Sequence, residues 1–220
     1  MDHSSTPAPH AARYRTPQEL TDFVPTLDAA PTDRGLLKLI VRRPALGERE
    51  VLAVGRLDPA YGLEGDSWLS RGSTRRHSPA ISPPASWLSR GSTRSADGRA
   101  HPDMQLNVMS HRMVAFLAQD PALEPLAGDQ LYLDLDLSEG NLPAGSQLAF
   151  GDPDAPGAVI EVTEQPHTGC AKFVARFGPD AMRFVNGRVG RPRRLRGLNA
   201  RVVLAGQIHT GDLVTVRRPS

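Results

Sequence analysis

The sequence predicts a mainly β protein with a few short helices, folded as a closed or partly open β-barrel. Many short apolar or alternating segments are bounded by glycine and proline, which is typical of barrels and sandwiches. Leucine stands at every second position of residues 131–137, which indicates a strand. The sequence shows neither the alternation of strands with helices nor the glycine-rich phosphate loop that would indicate a parallel α/β fold.

The first strands are predicted near the N-terminal third of the chain. Residues 36–41 form a compact apolar run, and residues 50–57 follow after a turn through residues 44–47, so we expect a hairpin. Residues 1–33 are rich in Pro, Ala, Thr, Ser and Asp, which predicts a flexible tail with at most a helical turn at residues 18–23. The barrel domain is therefore expected to span residues 34–220.

A nine-residue segment occurs twice within this domain. Residues 67–75 and residues 86–94 have the same sequence, SWLSRGSTR, which indicates a tandem duplication. Two copies are too few for a solenoid, which needs at least three stacked units. We interpret residues 67–100 as a duplicated loop insertion.

Further elements follow along the chain. Residues 105–109 alternate as a strand does, and Ser110 is expected to cap a helix over residues 111–119. The leucine alternation of residues 131–137 predicts a strand with one solvent-exposed face. The remaining predicted strands cover residues 147–150, 158–164, 198–204 and 212–216, and two more helices are predicted over 170–177 and 179–185.

The segment from His167 to Phe173 holds the single cysteine, Cys170, and also Lys172, one of two lysines in the chain. A thiolate is both a nucleophile and a metal ligand, and a nearby cation or a helix N-terminus stabilises it. Gly169 permits a sharp turn between the predicted strand and the helix that begins at Cys170. The alternative is that the cysteine is an inert small hydrophobe, as free cysteines often are.

Composition bounds the function. A net charge of +2 and 5% aromatic residues do not favour nucleic-acid binding. One cysteine excludes an intramolecular disulfide and a cysteine-cluster zinc site. No apolar run approaches the roughly 20 residues that span a bilayer, and residues 1–10 lack the apolar core of a secretory signal. We therefore expect a cytoplasmic protein with no nucleic-acid or membrane partner.

Five motifs occur in an order that resembles a known family. They are Gly62-Leu63-Glu64-Gly65-Asp66, Ser138-Glu139-Gly140-Asn141-Leu142, the segment from His167 to Phe173, Leu195-Arg196-Gly197-Leu198-Asn199-Ala200-Arg201-Val202, and Gly211-Asp212-Leu213-Val214. In order and spacing the chain resembles the MOSC domain, named after the C-terminal domain of molybdenum cofactor sulfurases, from about residue 35 onward. The resemblance implies a barrel-like β fold and a molybdenum cofactor (molybdopterin). No pyridoxal phosphate is expected.

The resemblance assigns roles to individual residues. Cys170 is the metal ligand or sulfur acceptor. The chemistry of the segment, and not the resemblance, makes Lys172 and His167 candidate catalytic residues: Lys172 would support the thiolate electrostatically, and His167 could hydrogen-bond the thiolate or a ligand. Arg196 matches the arginine before the late glycine, where it would meet the phosphate of the cofactor, and Arg193 and Arg194 stand within reach along the sequence. The candidate cofactor-binding residues are Asp66, Glu139, Asn141, Thr168, Arg196 and Asn199.

The chain differs from the family pattern at three places. Gly140 separates Glu139 from Asn141, which are usually adjacent. Ser67 and Trp68 follow the early aspartate in place of the usual arginine and histidine or tryptophan. Gly169, and not proline, precedes the cysteine.

Two functions from different classes follow. The first is an oxidoreductase that reduces small N-oxygenated substrates with electrons from an external donor, which would be a redox partner. The second is a non-enzymatic carrier that relays sulfur or the cofactor to a partner apoenzyme. A structural role for the cysteine in an interaction module is the third alternative.

Overall fold

The computed structural model describes residues 14–70 and 100–219, and in them the chain folds into a closed β-barrel with short helices on its outside. Seven strands close the ring, so the predicted barrel is confirmed. The strands are β1 (Arg34–Arg42), β2 (Glu50–Leu52), β3 (Val54–Asp58), β4 (Gly62–Leu63), β5 (Leu106–Ser110), β6 (Leu131–Asp134), β7 (Gln147–Gly151), β8 (Pro156–Val162), β9 (Leu198–Leu204), β10 (Gly206–His209) and β11 (Leu213–Arg217). The α-helices are α1 (Pro17–Asp22), α2 (Val24–Asp28), α3 (His111–Ala118) and α4 (Ala171–Asn186).

The ring runs β1-β11-β7-β8-β9-β5-β6 and returns to β1. Every pairing in it is antiparallel except that of β5 with β6. A parallel pair needs a crossover connection, and α3 together with a 3₁₀ helix over Pro121–Ala127 supplies it. Strand β2 extends the sheet beside β1, and β10, β3 and β4 form a small second sheet.

Two apolar clusters fill the molecule. The barrel interior holds Leu37, Val108 and Leu133 among many aliphatic side chains, all inaccessible to water. A second cluster, which includes Tyr132 of β6 together with Met113 of α3, joins the outer face of the barrel to the helices. Both faces of β6 are therefore covered.

The leucine alternation of residues 131–137 predicts the strand but not the burial of its second face. The predicted solvent-exposed face of residues 131–137 is wrong, because Tyr132 on that face packs under the helices. The strand also ends at Asp134, whose carboxylate accepts a hydrogen bond from Arg112 at 2.6 Å.

Other boundaries also differ from the sequence expectations. The strand predicted over residues 50–57 is divided into β2 and β3 at Ala53. Strand β10 lies within the predicted connection between β9 and β11. Within the predicted flexible tail, the helical turn predicted at residues 18–23 corresponds to α1, whereas α2 was not predicted. The two helices bury Leu20 and Leu27 in the second cluster. Most of the duplicated segment, residues 71–99, lies outside the described residues.

Helix α4 carries the cysteine segment and contains a kink. Its N-cap residue is Cys170, and Gly178 has non-helical angles (φ 86°, ψ 167°) just before Pro179. The two helices predicted over 170–177 and 179–185 thus meet at this glycine. A Cβ at Gly178 would lie 2.7 Å from the ring of Tyr14, so the kink also seats the N-terminal segment.

Among the described residues, no helix combines the length and the apolar character that crossing a membrane requires.

Candidate functional site

A cavity of about 320 Å³ lies where the loop between β8 and α4 meets the end of α4 and the beginning of β9. Its walls carry three arginines and two glutamates beside backbone and small polar groups. The lining residues are Glu139, Thr163, Glu164, Gln165, Pro166, His167, Thr168, Val185, Asn186, Arg191, Arg194, Arg196, Gly197 and Leu198. Four of the sequence-predicted site residues, Glu139, His167, Thr168 and Arg196, therefore share one cavity.

Two asparagines, Asn199 and Asn186, hold the loop that forms one wall. Asn199 is inaccessible to water, and its side-chain amide donates to the backbone carbonyl of Gln165 at 3.1 Å. The backbone carbonyl of Asn199 accepts a hydrogen bond from the backbone N–H of Thr163 at 3.0 Å. At the other end of the loop, Asn186 accepts a hydrogen bond from the amide of Gly169 at 3.1 Å. The loop is thereby fixed on both sides of His167.

Behind the cavity wall lies a buried ion pair between Asp129 and Arg196. Arg196 Nη1 donates to the two carboxylate oxygens of Asp129 at 2.8 and 2.7 Å, and Nη2 donates to the carbonyl of Ala127 at 3.3 Å. The guanidinium also lies 5.1 Å from the centre of the Phe173 ring. Burial raises the pKa of Asp129, and the charge of Arg196 opposes this rise. Both terminal nitrogens of the Arg196 guanidinium therefore donate hydrogen bonds to other groups of the protein.

His167 contacts the same carboxylate. Its Nδ1 lies 3.4 Å from Oδ1 of Asp129 and is inaccessible to water, while 11% of the side chain stays exposed. Burial lowers the pKa of His167 well below its ordinary value, and the positive charges of Arg196 and Arg43 lower it further. The imidazole is consequently neutral at pH 7.

Two further arginines lie on the cavity wall. Arg194 has a left-handed backbone (φ 47°), and its Nη1 donates to the carbonyl of Leu142 at 2.6 Å. Burial lowers the pKa of Arg194, although the carboxylate of Glu139 acts in the opposite direction. Arg191 is exposed on the same wall. The lining thus carries one more positive charge than negative charge, with His167 neutral.

Cys170 lies beside this cavity and not in its wall. It stands two residues after Thr168, is exposed, and occupies the N-cap position of α4 without a hydrogen bond from its side chain to the helix. Its carbonyl oxygen accepts from the amide of Phe173 at 2.9 Å. Lys172 is also exposed, in the first turn of α4. The thiol is therefore accessible and lies near the positive end of a helix.

Asp66 does not line the cavity. Its side chain is inaccessible to water and forms a fork with Arg43 Nε at 2.8 Å and Nη2 at 3.0 Å. Arg43 Nη1 also donates to the side-chain oxygen of Asn107, and the side-chain nitrogen of Asn107 donates to the side-chain oxygen of Asn199 at 2.7 Å. Asp66 and Asn199, both predicted to bind the cofactor, are thus joined in a buried network that supports the wall from behind.

Asn141 is also absent from the cavity lining. Its amide nitrogen donates to the carbonyls of Thr32 and Asp136 at 3.0 and 2.8 Å, and its oxygen accepts from Arg218 Nη2 at 2.5 Å. These bonds attach the C-terminal residues to the loop that follows β6. Arg193 is likewise engaged elsewhere, in a paired contact with Asp28 at 2.7 and 2.9 Å.

Sequence reasoning missed three residues of this site: Asp129, Asn186 and Arg191. Asp129 follows Gly128 two residues before β6, as Asp66 follows Gly65 in its loop, and this Gly-Asp pair is a signal that the sequence offers. Among the described residues, no group of three or more His, Cys, Asp or Glu side chains is placed to hold a metal ion.

Comparisons with known proteins support the fold. No family model matches the chain, and no curated protein matches its sequence. The YuaD protein of Bacillus subtilis has a similar solved structure, with a TM-score of 0.55 and 18% identity over 83% of this chain and 95% of that one. A hypothetical protein has a TM-score of 0.50 and 18% identity, over 84% of this chain and 68% of that chain. YiiM from Escherichia coli has a TM-score of 0.47 and 16% identity, over 85% of this chain and 71% of that one, which is too low to carry an argument. The first two likenesses show the fold alone.

Proposed function

We propose that this chain is a MOSC-type protein that binds a molybdenum cofactor in the arginine-lined cavity, with Cys170 as ligand to the metal or as acceptor of sulfur. The observation that carries the proposal is the position of an exposed thiol, at the N-cap of α4, two residues beyond a cavity whose lining holds three arginines. The five motifs of the sequence support the same assignment.

The donor set fits a phosphate-bearing cofactor. Arginine side chains and backbone amides are the usual partners of phosphate, and Arg191 and Arg194 lie on the wall with Thr168. Ligand sites of about 300–1,000 Å³ are typical, and the cavity of about 320 Å³ is at the lower end. Of the three arginines, Arg196 has the least capacity to spare because it is bound to Asp129.

Each residue would then have a limited task. Arg191 and Arg194 hold the anionic group, and the bonds from Asn199 and Asn186 keep the wall loop in place for it. Cys170 presents a soft thiolate, which suits a transition metal, and Lys172 adds positive charge in the same turn. The bound cofactor would supply two-electron redox chemistry at its metal.

The oxidoreductase is the function we favour, acting on small N-oxygenated substrates with an external electron donor. The carrier is the second candidate, because the exposure of Cys170 would let a partner protein reach the sulfur directly. Turnover of a hydroxylamine with an artificial electron donor would support the enzyme. A persulfide on Cys170 in mass spectra, without metal and without turnover, would support the carrier.

The cavity is tested by reversing its charge. We expect Arg191→Glu/Arg194→Glu to lower the pterin content of protein purified from a cofactor-competent host by at least about tenfold, since two charge-assisted contacts become repulsive. The matched control is Arg56→Glu/Arg217→Glu, which makes the same change of charge on exposed strands. An equal loss in both variants, or no loss in the cavity variant, would exclude this cavity as the cofactor site.

A further inference from the structure

A second cavity, of about 310 Å³, lies between α1 and the last turn of α4 and is open to solvent along one side. We call it the α1–α4 groove. The apolar part of its lining consists of Pro17 and Leu20 of α1, Phe184 of α4 and Val189, which follows α4. Leu20 is buried and Phe184 is half-buried, whereas 41% of Val189 is exposed. The groove therefore offers apolar surface that a ligand could cover.

Hydrogen bonds within the protein hold both walls of the groove. A capping box formed by Thr16 and Glu19 fixes the first turn of α1. On the other wall, the amide of Gly187 donates to the last turn of α4 at 3.2 Å, and Arg193 Nη1 donates to the carbonyl of Val189 at 3.2 Å. The groove is thus preformed, which lowers the entropic cost of binding a ligand there.

The charges along the groove do not balance. Among the described residues, three charged side chains line it: Asp180, Arg183 and Arg188. Arg183 Nη1 donates to Oδ1 of Asp180, so these two opposite charges are paired with each other. Arg188 is exposed, and no described residue forms a hydrogen bond or an ion pair with its side chain. An unpaired guanidinium therefore lies beside an apolar surface.

We propose that the α1–α4 groove binds a small amphiphilic carboxylate, with its apolar body on the apolar lining and its carboxylate on Arg188. A planar guanidinium matches a carboxylate and can bind it through two parallel hydrogen bonds. The volume of the groove is at the lower end of the range of about 300–1,000 Å³ that is typical of ligand sites. The proposal is independent of the proposed function, because the described residues that line the groove and those that line the arginine-lined cavity are different.

Isothermal titration calorimetry of the whole chain with decanoate, kept below the concentration at which it forms micelles, tests the proposal. We expect one bound decanoate per chain and at least about tenfold weaker binding by Arg188→Glu, since an attractive charge-assisted contact becomes repulsive. Val189→Ser should weaken binding by about fivefold, because it removes apolar contact area. The matched control is Arg217→Glu, which makes the same change of charge on the exposed end of β11 and should bind decanoate unchanged.

A further control separates the two cavities. The variant Arg191→Glu/Arg194→Glu, which reverses the charge of the arginine-lined cavity, should bind decanoate as the unmodified protein does. Loss of binding in that variant, unchanged binding in Arg188→Glu, or equal losses in Arg188→Glu and Arg217→Glu would each overturn the proposal. No uptake by the unmodified chain would also overturn it, since the groove would then be covered by a second copy of the chain or by residues 1–13, or would bind no amphiphile.

Discussion

Replacing Arg196 with methionine is expected to lower the free energy of unfolding by about 3–5 kcal/mol, because it leaves the buried carboxylate of Asp129 without its partner. Asp129 and Arg196 are both almost inaccessible, and the guanidinium donates to each carboxylate oxygen. Urea denaturation followed by circular dichroism measures the change. The control is Arg56→Met, which breaks an exposed pair with Glu64 and should cost no more than about 1 kcal/mol.

The double variant Asp129→Leu/Arg196→Met tests the reason for that loss. Replacing a buried pair by apolar side chains of similar volume is often neutral or stabilising. We expect the double variant to unfold at a higher urea concentration than Arg196→Met does. The single variant Asp129→Leu completes the cycle. If the loss of stability in the double variant equals the sum of the losses in Asp129→Leu and Arg196→Met, the two side chains are not coupled, and their ion pair does not stabilise the cavity wall.

Substituting Gly197 with alanine is expected to cost on the order of 4 kcal/mol, within the range seen for severe steric conflicts. Gly197 has a φ of 107°, and a Cβ there would lie 2.2 Å from the carbonyl oxygen of Val108. That oxygen belongs to strand β5, which pairs with β9, so it cannot move aside easily. Thermal and urea unfolding of the purified variant measure the loss.

Gly211→Ala separates backbone strain from this contact. Gly211 also has a positive φ, 98°, but nothing lies within 4 Å of its Cβ position. It should lose only the roughly 1–2 kcal/mol that a left-handed conformation costs an ordinary residue. Equal losses at the two glycines would contradict the close approach of β5 to Gly197, and with it the geometry of the His167 side of the cavity.

The fold was predictable from the sequence to a large extent because its signals are local. The alternation in residues 105–109, the strand predicted over residues 158–164 and the serine cap at Ser110 correspond to β5, β8 and α3. The exposed face assigned to residues 131–137 was wrong because Tyr132 is covered by helices from distant parts of the chain. Burial by a remote element leaves no periodic signal in the strand that it covers.

The candidate site was only partly predictable for a similar reason. Glu139, His167, Thr168 and Arg196 were found by motif and meet in the cavity. Asp66 and Asn199 were assigned to the ligand, but the structure uses them in a buried network. Asp129 was missed, because a carboxylate becomes distinctive only once Arg196 and His167, 67 and 38 positions away, fold against it.

The most direct test of the central claim is the molybdenum content per chain of the protein purified from a cofactor-competent host, compared with that of Cys170→Ser. The account predicts bound metal in the unmodified protein and its loss on substitution, with circular dichroism spectra unchanged because Cys170 is exposed and makes no side-chain cap bond. Metal that stays at the same level after the substitution would contradict ligation by Cys170.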